Sequence, residues 1–268
     1  MSALSRLRWA AFGLALLAFL LHVADRLWWS PRFHDLSFPV DALLGLVLPL
    51  GTIAGLVTWA YWLPARRYRA APAAFDVVAG GFTAPSAPAV VGYQAIVWGL
   101  FAGYAVPTRY SPGGGSRLGA DSFENAQGAV VVLLCLTGAA MWLWRGPRVT
   151  LTPQGLHIRT LRTRRIPWTE LRTGGPGVPT PNQRQLWLDL SRPGGADRWV
   201  ALTLMPLYVD SAFLARAIRH YAEHPAHRAA IGDPAELARL TAEPDPSDAA
   251  VIGAAPPLGD SRGVSAGA

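Results

Sequence analysis

Two clusters of side chains in this sequence have the types and spacing of chemistry. The first is basic: Arg159, Arg162, Arg164, Arg165 and Arg172 fall within fourteen residues around a predicted hairpin. A guanidinium stays charged at any physiological pH and grips phosphate or carboxylate through paired hydrogen bonds. Beside an anionic bilayer surface, each such group contributes about 1 kcal/mol. Arg159, Arg162, Arg164 and Arg165 are therefore the expected contacts to anionic lipid headgroups or to a partner. The second cluster is imidazole-rich: His220, His224 and His227, with Glu223. His220 and His224 lie one helical turn apart, which suits two metal ligands on one face. Pro225 argues against it, because a helix ends where the next residue has no N–H to give. Helix-end capping is the expected role, and no metal is assigned.

Polar groups in the apolar first half are few. His22 and Asp25 are three apart, on one helical face, and Asp41, Thr52 and Gln94 are the other notable ones. Ionisable groups inside a bilayer mark ion or proton paths, but His22, Asp25 and Asp41 sit near the ends of apolar runs, where they reach water. Cys135 is alone, so no disulfide forms within the chain. No nucleophile elbow, phosphate loop or Cys–His pair is present. No catalytic residue, no cofactor and no enzymatic activity are expected. Nucleic acid is not an expected partner either, since the basic patch lacks interleaved stacking aromatics.

The elements that must position these groups differ between the two halves. The 268 residues are 51% hydrophobic and only 15% charged, where a soluble domain has roughly 25% charged. Residues 1–144 hold 9 Arg and 6 acids, against 15 and 11 in the shorter remainder. Four apolar runs, at about 9–28, 42–63, 87–106 and 126–144, approach the ~20 residues that a helix needs to cross a bilayer. The third is placed within a longer apolar stretch, 77–108. Tryptophans stand at the ends of the runs (Trp9, Trp28, Trp29, Trp59, Trp62, Trp142, Trp144), where their rings prefer the headgroup level. The first run lacks a small-x-small cleavage site and reads as a retained helix. Seven arginines flank one side of the four runs and four the other, which puts both termini in the cytoplasm of a cell inner membrane. Gly51/Gly55 and Gly99/Gly103 have the spacing that lets helices approach closely, within the chain or in a homo-oligomer. Pro49 is expected to kink the second helix.

From Val149 the period becomes two. Val149 and Leu151, Leu156 and Ile158, Leu186 to Leu190 and Val200 to Leu204 alternate with polar neighbours, as in half-buried antiparallel strands. Residues 173–182 read as a loop. Asp210 then caps a helix whose apolar face is Leu214, Ala217, Ile218 and Tyr221. Asp233 reads as the cap of a further short helix, and beyond Glu243 the tail is expected to be disordered. The fold class expected is a four-helix transmembrane domain (1–144), then a small β-rich domain closed by a helix (145–232), then the short helix and tail (233–268).

The segments Val149-Thr-Leu-Thr-Pro-Gln-Gly-Leu-His-Ile-Arg159 and Arg165-Ile-Pro-Trp-Thr-Glu-Leu171 resemble the bacterial pleckstrin-homology-like (PH-like) domains of actinobacterial membrane proteins. His220 to Gly232 is similar to the same family. The resemblance covers about 147–232 and implies a PH-like sheet and helix, no catalytic residues, and a binding or assembly role. The long Gly/Pro loop departs from the pattern and leaves the strand count open. The function expected is a membrane-anchored interaction or assembly protein. Its domain would bind an unidentified protein partner or the anionic inner leaflet. The rival class is a small channel or transporter subunit regulated by that domain.

Overall fold

The computed structural model describes residues 3–33, 36–111, 115–118, 121–160, 162–180, 183–191 and 198–242. Helix α1 (Ala3–Ala24) continues through a π-helical turn (Asp25–Trp29) and a 3-10 turn (Ser30–Phe33). A short α2 (Val40–Ala42) and a second π turn (Leu43–Val47) lead into α3 (Leu48–Ala65). Helix α4 is Pro88–Tyr104, and α5 is Ser122–Arg145. Three stretches, Leu4–Phe33, Val40–Tyr68 and Ser122–Arg145, are long and apolar enough to cross a membrane. The expected run at 87–106 becomes a helix of 17 residues, about 25 Å long at 1.5 Å per residue. Pro88 fixes its first turn, and the chain leaves the helix ahead of Pro107. A π turn, Leu43–Val47, precedes Pro49, where a kink was expected. Pro49 has no N–H for the Gly45 carbonyl and its ring would crowd that oxygen, so the widened turn before it makes room.

Helix α4 is the packed centre of the bundle. Val91, Ala95 and Ile96 form one cluster with Leu7, Ala11 and Ala18 of α1, Val57, Tyr61 and Ala65 of α3, and Ala139 and Leu143 of α5. A Cβ on Gly99 would strike the Ala15 carbonyl, and one on Gly103 would meet the His22 ring at 2.6 Å. This glycine pair thus joins two helices of the same chain, whereas Cβ atoms on Gly51 and Gly55 would meet nothing within 4 Å. On the outside, Leu56, Trp59, Phe101, Leu133 and Leu134 are each more than half exposed. So broad an apolar surface suits lipid and not water.

The second half is an antiparallel sheet region with a helix. Strands β1 (Asp76–Val78), β2 (Gly81–Ala84), β5 (Arg148–Thr152), β6 (Gly155–Arg159) and β7 (Thr163–Pro167) form one sheet in the order β1-β2-β5-β6-β7. Strands β3 (Thr108–Ser111) and β4 (Gly115–Leu118) form a separate hairpin between α4 and α5. Strands β8 (Gln185–Leu190) and β9 (Arg198–Thr203) make another, covered with the main sheet by α6 (Ser211–Glu223). Asp210 caps α6 by accepting from the Phe213 N–H at 2.8 Å. Helix α7 (Pro234–Ala242) follows. The tail from residue 243, expected to be disordered, lies outside the described residues.

The sheet draws on more than residues 145–232. Strands β1 and β2 come from the segment after α3, the start of the apolar stretch 77–108 ahead of the third run at 87–106, for which no strand was expected. Phe75, Phe82 and Ala84 enter the sheet core, with Phe75 against Phe82 and Phe213. Backbone bonds from Asp210 to Pro72, Tyr208 to Pro85 and Ala87 to Pro206 fasten the segment at 2.9, 2.7 and 2.7 Å. The start of α1 and the end of α5 lie at this same end, where Trp9 meets Trp144 edge-on at 5.0 Å. The 3-10 turn after α3 (Arg66–Tyr68) and the start of α4 adjoin the segment after β9, where Tyr68 packs on Tyr208 at 6.0 Å and Ala87 donates to the Pro206 carbonyl.

Candidate functional site

Strand register decides where the four arginines go. Directly paired residues share a face of the sheet, and neighbours along a strand alternate. Arg159 pairs with Arg148 on one side and Thr163 on the other, and His157 pairs with Arg165. Arg148, Arg159 and Arg165 therefore share the outer face. Arg164 pairs with Ile158 and lies on the opposite face, half-buried at the sheet edge. Arg162 is exposed in the turn, where its carbonyl accepts from the Thr160 N–H at 3.2 Å. Arg172 is held apart by Asp189 at 3.1 Å. The basic hairpin is thus not one surface but three.

The outer face meets the helix ends. Arg148 donates to the Trp144 carbonyl at 3.2 Å. Burial, followed by the nearby guanidiniums of Arg159 and Arg8, pulls Arg148 below the ordinary arginine range. Burial and then Arg165 likewise lower His157, so this imidazole is neutral at pH 7 and arginine carries the charge here. Among the described residues, none of Arg8, Arg145, Arg148 and Arg159 pairs with a carboxylate. Four uncompensated cations at one end of a helical bundle form an anion-attracting surface. Arg8, Arg145 and Arg148 were visible in the sequence only as flanking charges. What joins them to Arg159 is register and the Arg148–Trp144 bond, neither of which composition reveals.

The histidines assemble differently from their spacing. His224 ends α6, and its Nδ1 lies 3.0 Å from the His220 carbonyl, as a helix cap. His220 Nε2 instead meets His227 Nδ1 at 2.8 Å, and the carboxylate nearby is Glu236, not Glu223. Arg239 already occupies the centre, 2.8 Å from His220 Nε2 and from both Glu236 oxygens. The hydrogen bonds from Arg239 hold the nearly buried Glu236 below the usual carboxylate range. Tyr221 donates to Glu236 at 3.1 Å, and burial first, then that carboxylate, pushes its phenol well up. A metal would have to displace the guanidinium, so the cluster acts as a strut between α6 and α7.

The polar groups of the membrane half do not line up. His22, Asp25 and Asp41 line a cavity of about 320 Å³ at the end far from the sheet. His22 is buried, and neither ring nitrogen has a hydrogen-bond partner among the described residues. Thr52 turns back to the Leu48 carbonyl at 2.7 Å on its own helix. Gln94 lies at the opposite end, in a cleft beside Arg145. Compared with protein-family models, curated proteins and solved structures, the chain matches none.

Proposed function

We propose that the chain is a four-span inner-membrane protein with both termini in the cytoplasm. Its sheet domain is PH-like and acts without catalysis, as an interaction or assembly module that meets the anionic inner leaflet or a protein partner. The observation that carries this reading is the set of arginines that meet no carboxylate among the described residues, Arg8, Arg145, Arg148 and Arg159, where the sheet adjoins the helix ends. Cations so placed are attracted to anionic lipid within a Debye length of about 8–10 Å. The four spans are supported by the enclosure of α4 among α1, α3 and α5. The alternation of helix ends toward and away from the sheet supports them too. The PH-like reading is supported by two antiparallel sheets closed by α6.

Two measurements on the intact chain test it. In a Cys135→Ser background, an impermeant thiol reagent on whole cells should label Ser116→Cys but not Ala70→Cys or Ala250→Cys. The reverse pattern sinks the topology. In proteoliposomes, amides of β6 and β7 should exchange more slowly over anionic than over neutral lipid, and salt should remove the difference. Equal exchange in both would leave a protein-interaction module. A fragment 145–232 cannot serve, because it lacks β1, β2 and their phenylalanines in the core.

A further inference from the structure

We infer that the junction of α4, α5 and the β6–β7 hairpin binds one anionic glycerophospholipid, with its phosphate at Arg145 and Arg159 and an acyl chain along Trp98, Gly138 and Met141. The inference rests on the reading that the sheet faces the inner leaflet, and it names the ligand.

A cleft of about 510 Å³ lies there, within the range of small-ligand sites. Its lining is of two kinds. Trp98 and Met141 are apolar and remain 37% and 53% exposed. Arg145 and Arg159 line it with Thr160 and Thr163, and no carboxylate does so among the described residues. Arg145 closes α5 just after Trp142 and Trp144, at the level where arginine and tryptophan meet headgroups. Arg159 is delivered by the register that sets it beside Arg148, itself fastened to the Trp144 carbonyl. Trp142 also lines the cleft, its indole nitrogen turned into the protein without an acceptor among the described residues. Guanidiniums select phosphate. The exposed apolar side chains of Trp98 and Met141, one from α4 and one from α5, select a phosphate that carries acyl chains over a soluble one.

Gly138 gives a test that leaves the charges alone. A Cβ there would meet nothing within 4 Å, so the side chain of Gly138→Phe starts from open space on the wall of the cleft. The probe is phosphatidylglycerol added to the intact, detergent-purified chain and followed by native mass spectrometry. The wild type should retain one molecule in preference to phosphatidylcholine. Arg145→Gln and Arg159→Gln should each weaken retention about tenfold, or ~1.4 kcal/mol. Gly138→Phe should abolish retention while melting as the wild type does. Retention unchanged in Gly138→Phe, or inorganic phosphate stabilising the wild type as much as the lipid does, would mean a soluble-anion site and overturn the proposal. Absence of any retained lipid would overturn it too. Arg165→Gln, on the same sheet face but outside the cleft, should leave retention unchanged and reduce the salt-dependent exchange protection. Loss of the single lipid with that protection intact sinks this site alone, and loss of both sinks the parent reading as well.

Discussion

At the end of the bundle far from the sheet, Arg26 donates to the Tyr104 and Val106 carbonyls and to Thr108 Oγ1 at 2.8–2.9 Å. Arg109 there pairs with Asp121 at 2.9 Å. At the sheet end, Arg148 is fastened to a carbonyl, but neither it nor Arg8, Arg145 and Arg159 meets an acid among the described residues. The same residue type fastens the fold at one end, and at the other, Arg148 apart, makes no such bond among the described residues. A guanidinium that caps helix carbonyls gains stability from the fold. One that crowds like charges gains nothing from the fold and is useful only to something outside it. The contrast separates arginines whose loss should unfold the protein from arginines whose loss should silence it.

The contrast presumes that the sheet is anchored at the helix ends by the segment after α3. The largest expected effect tests that anchor. Phe82 is fully buried between Phe75 and the strands, so Phe82→Ala should cost about 3–5 kcal/mol. Thermal melting in detergent should show it as a large drop, whereas Val77→Ala, at a largely exposed position of β1, should move melting little. An unchanged melting curve for Phe82→Ala would detach the sheet from the bundle and remove the sheet end as a defined place.

The legibility of these features in sequence follows their range along the chain. Alternation at Val149 to Ile158, at Leu186 to Leu190 and at Val200 to Leu204 marked strands because one face is buried and the other is not. The Asp210 cap was legible for the same local reason. Strands β1 and β2 were not, because Val77, Val78 and Phe82 border an apolar helix and period two is lost in so rich a background. The Gly80-Gly81 turn was the one signal that could have separated them. The division of Arg159 from Arg164 is a matter of register, which a one-residue shift would reverse. The cleft beneath Arg159 is formed by residues 94–163 brought together only by packing.

Arg26→Ala compared with Arg159→Ala sharpens the contrast directly. Losing Arg26 leaves two carbonyls at the end of α4, those of Tyr104 and Val106, without their donor, at about 1–3 kcal/mol in all. Arg159→Ala should stay within about 0.5 kcal/mol, because it removes a charge that the fold does not use. Melting of the two variants in parallel reads the difference. Equal destabilisation would erase the distinction between the ends.

Arg239 shows that pairing follows burial and not the half of the chain. Glu236, nearly buried beneath Arg239 and Tyr221, has a folded pKa depressed by those hydrogen bonds. A depressed carboxylate stabilises fully above its unfolded value near 4.5, and the contribution is lost as pH falls through the folded value. Glu236→Gln should therefore melt lower than the wild type at pH 7, by about 1 kcal/mol of stability. The gap should close below pH ~4.5. A gap independent of pH would mean that shape, not charge, holds α7 in place.

The smallest effect expected lies at the far end and limits how far the contrast extends. Arg109 and Asp121 are paired, yet their side chains are 56% and 77% exposed. Exposed pairs contribute about 0–1 kcal/mol and are screened by salt. Asp121 also precedes α5 without capping it through its side chain, so the ion pair is what it supplies. Arg109→Ala, Asp121→Ala and the double variant, melted at low and high salt, form a cycle that isolates the pair. A coupling near 0.5 kcal/mol that vanishes in salt is expected. It would place Arg109 among the solvated charges and leave Arg26 as the fastener of that end. A salt-resistant coupling well above 1 kcal/mol would instead mean that the β3–β4 hairpin shields the pair from solvent. The far end would then be held by two arginines, and its contrast with the sheet end would widen.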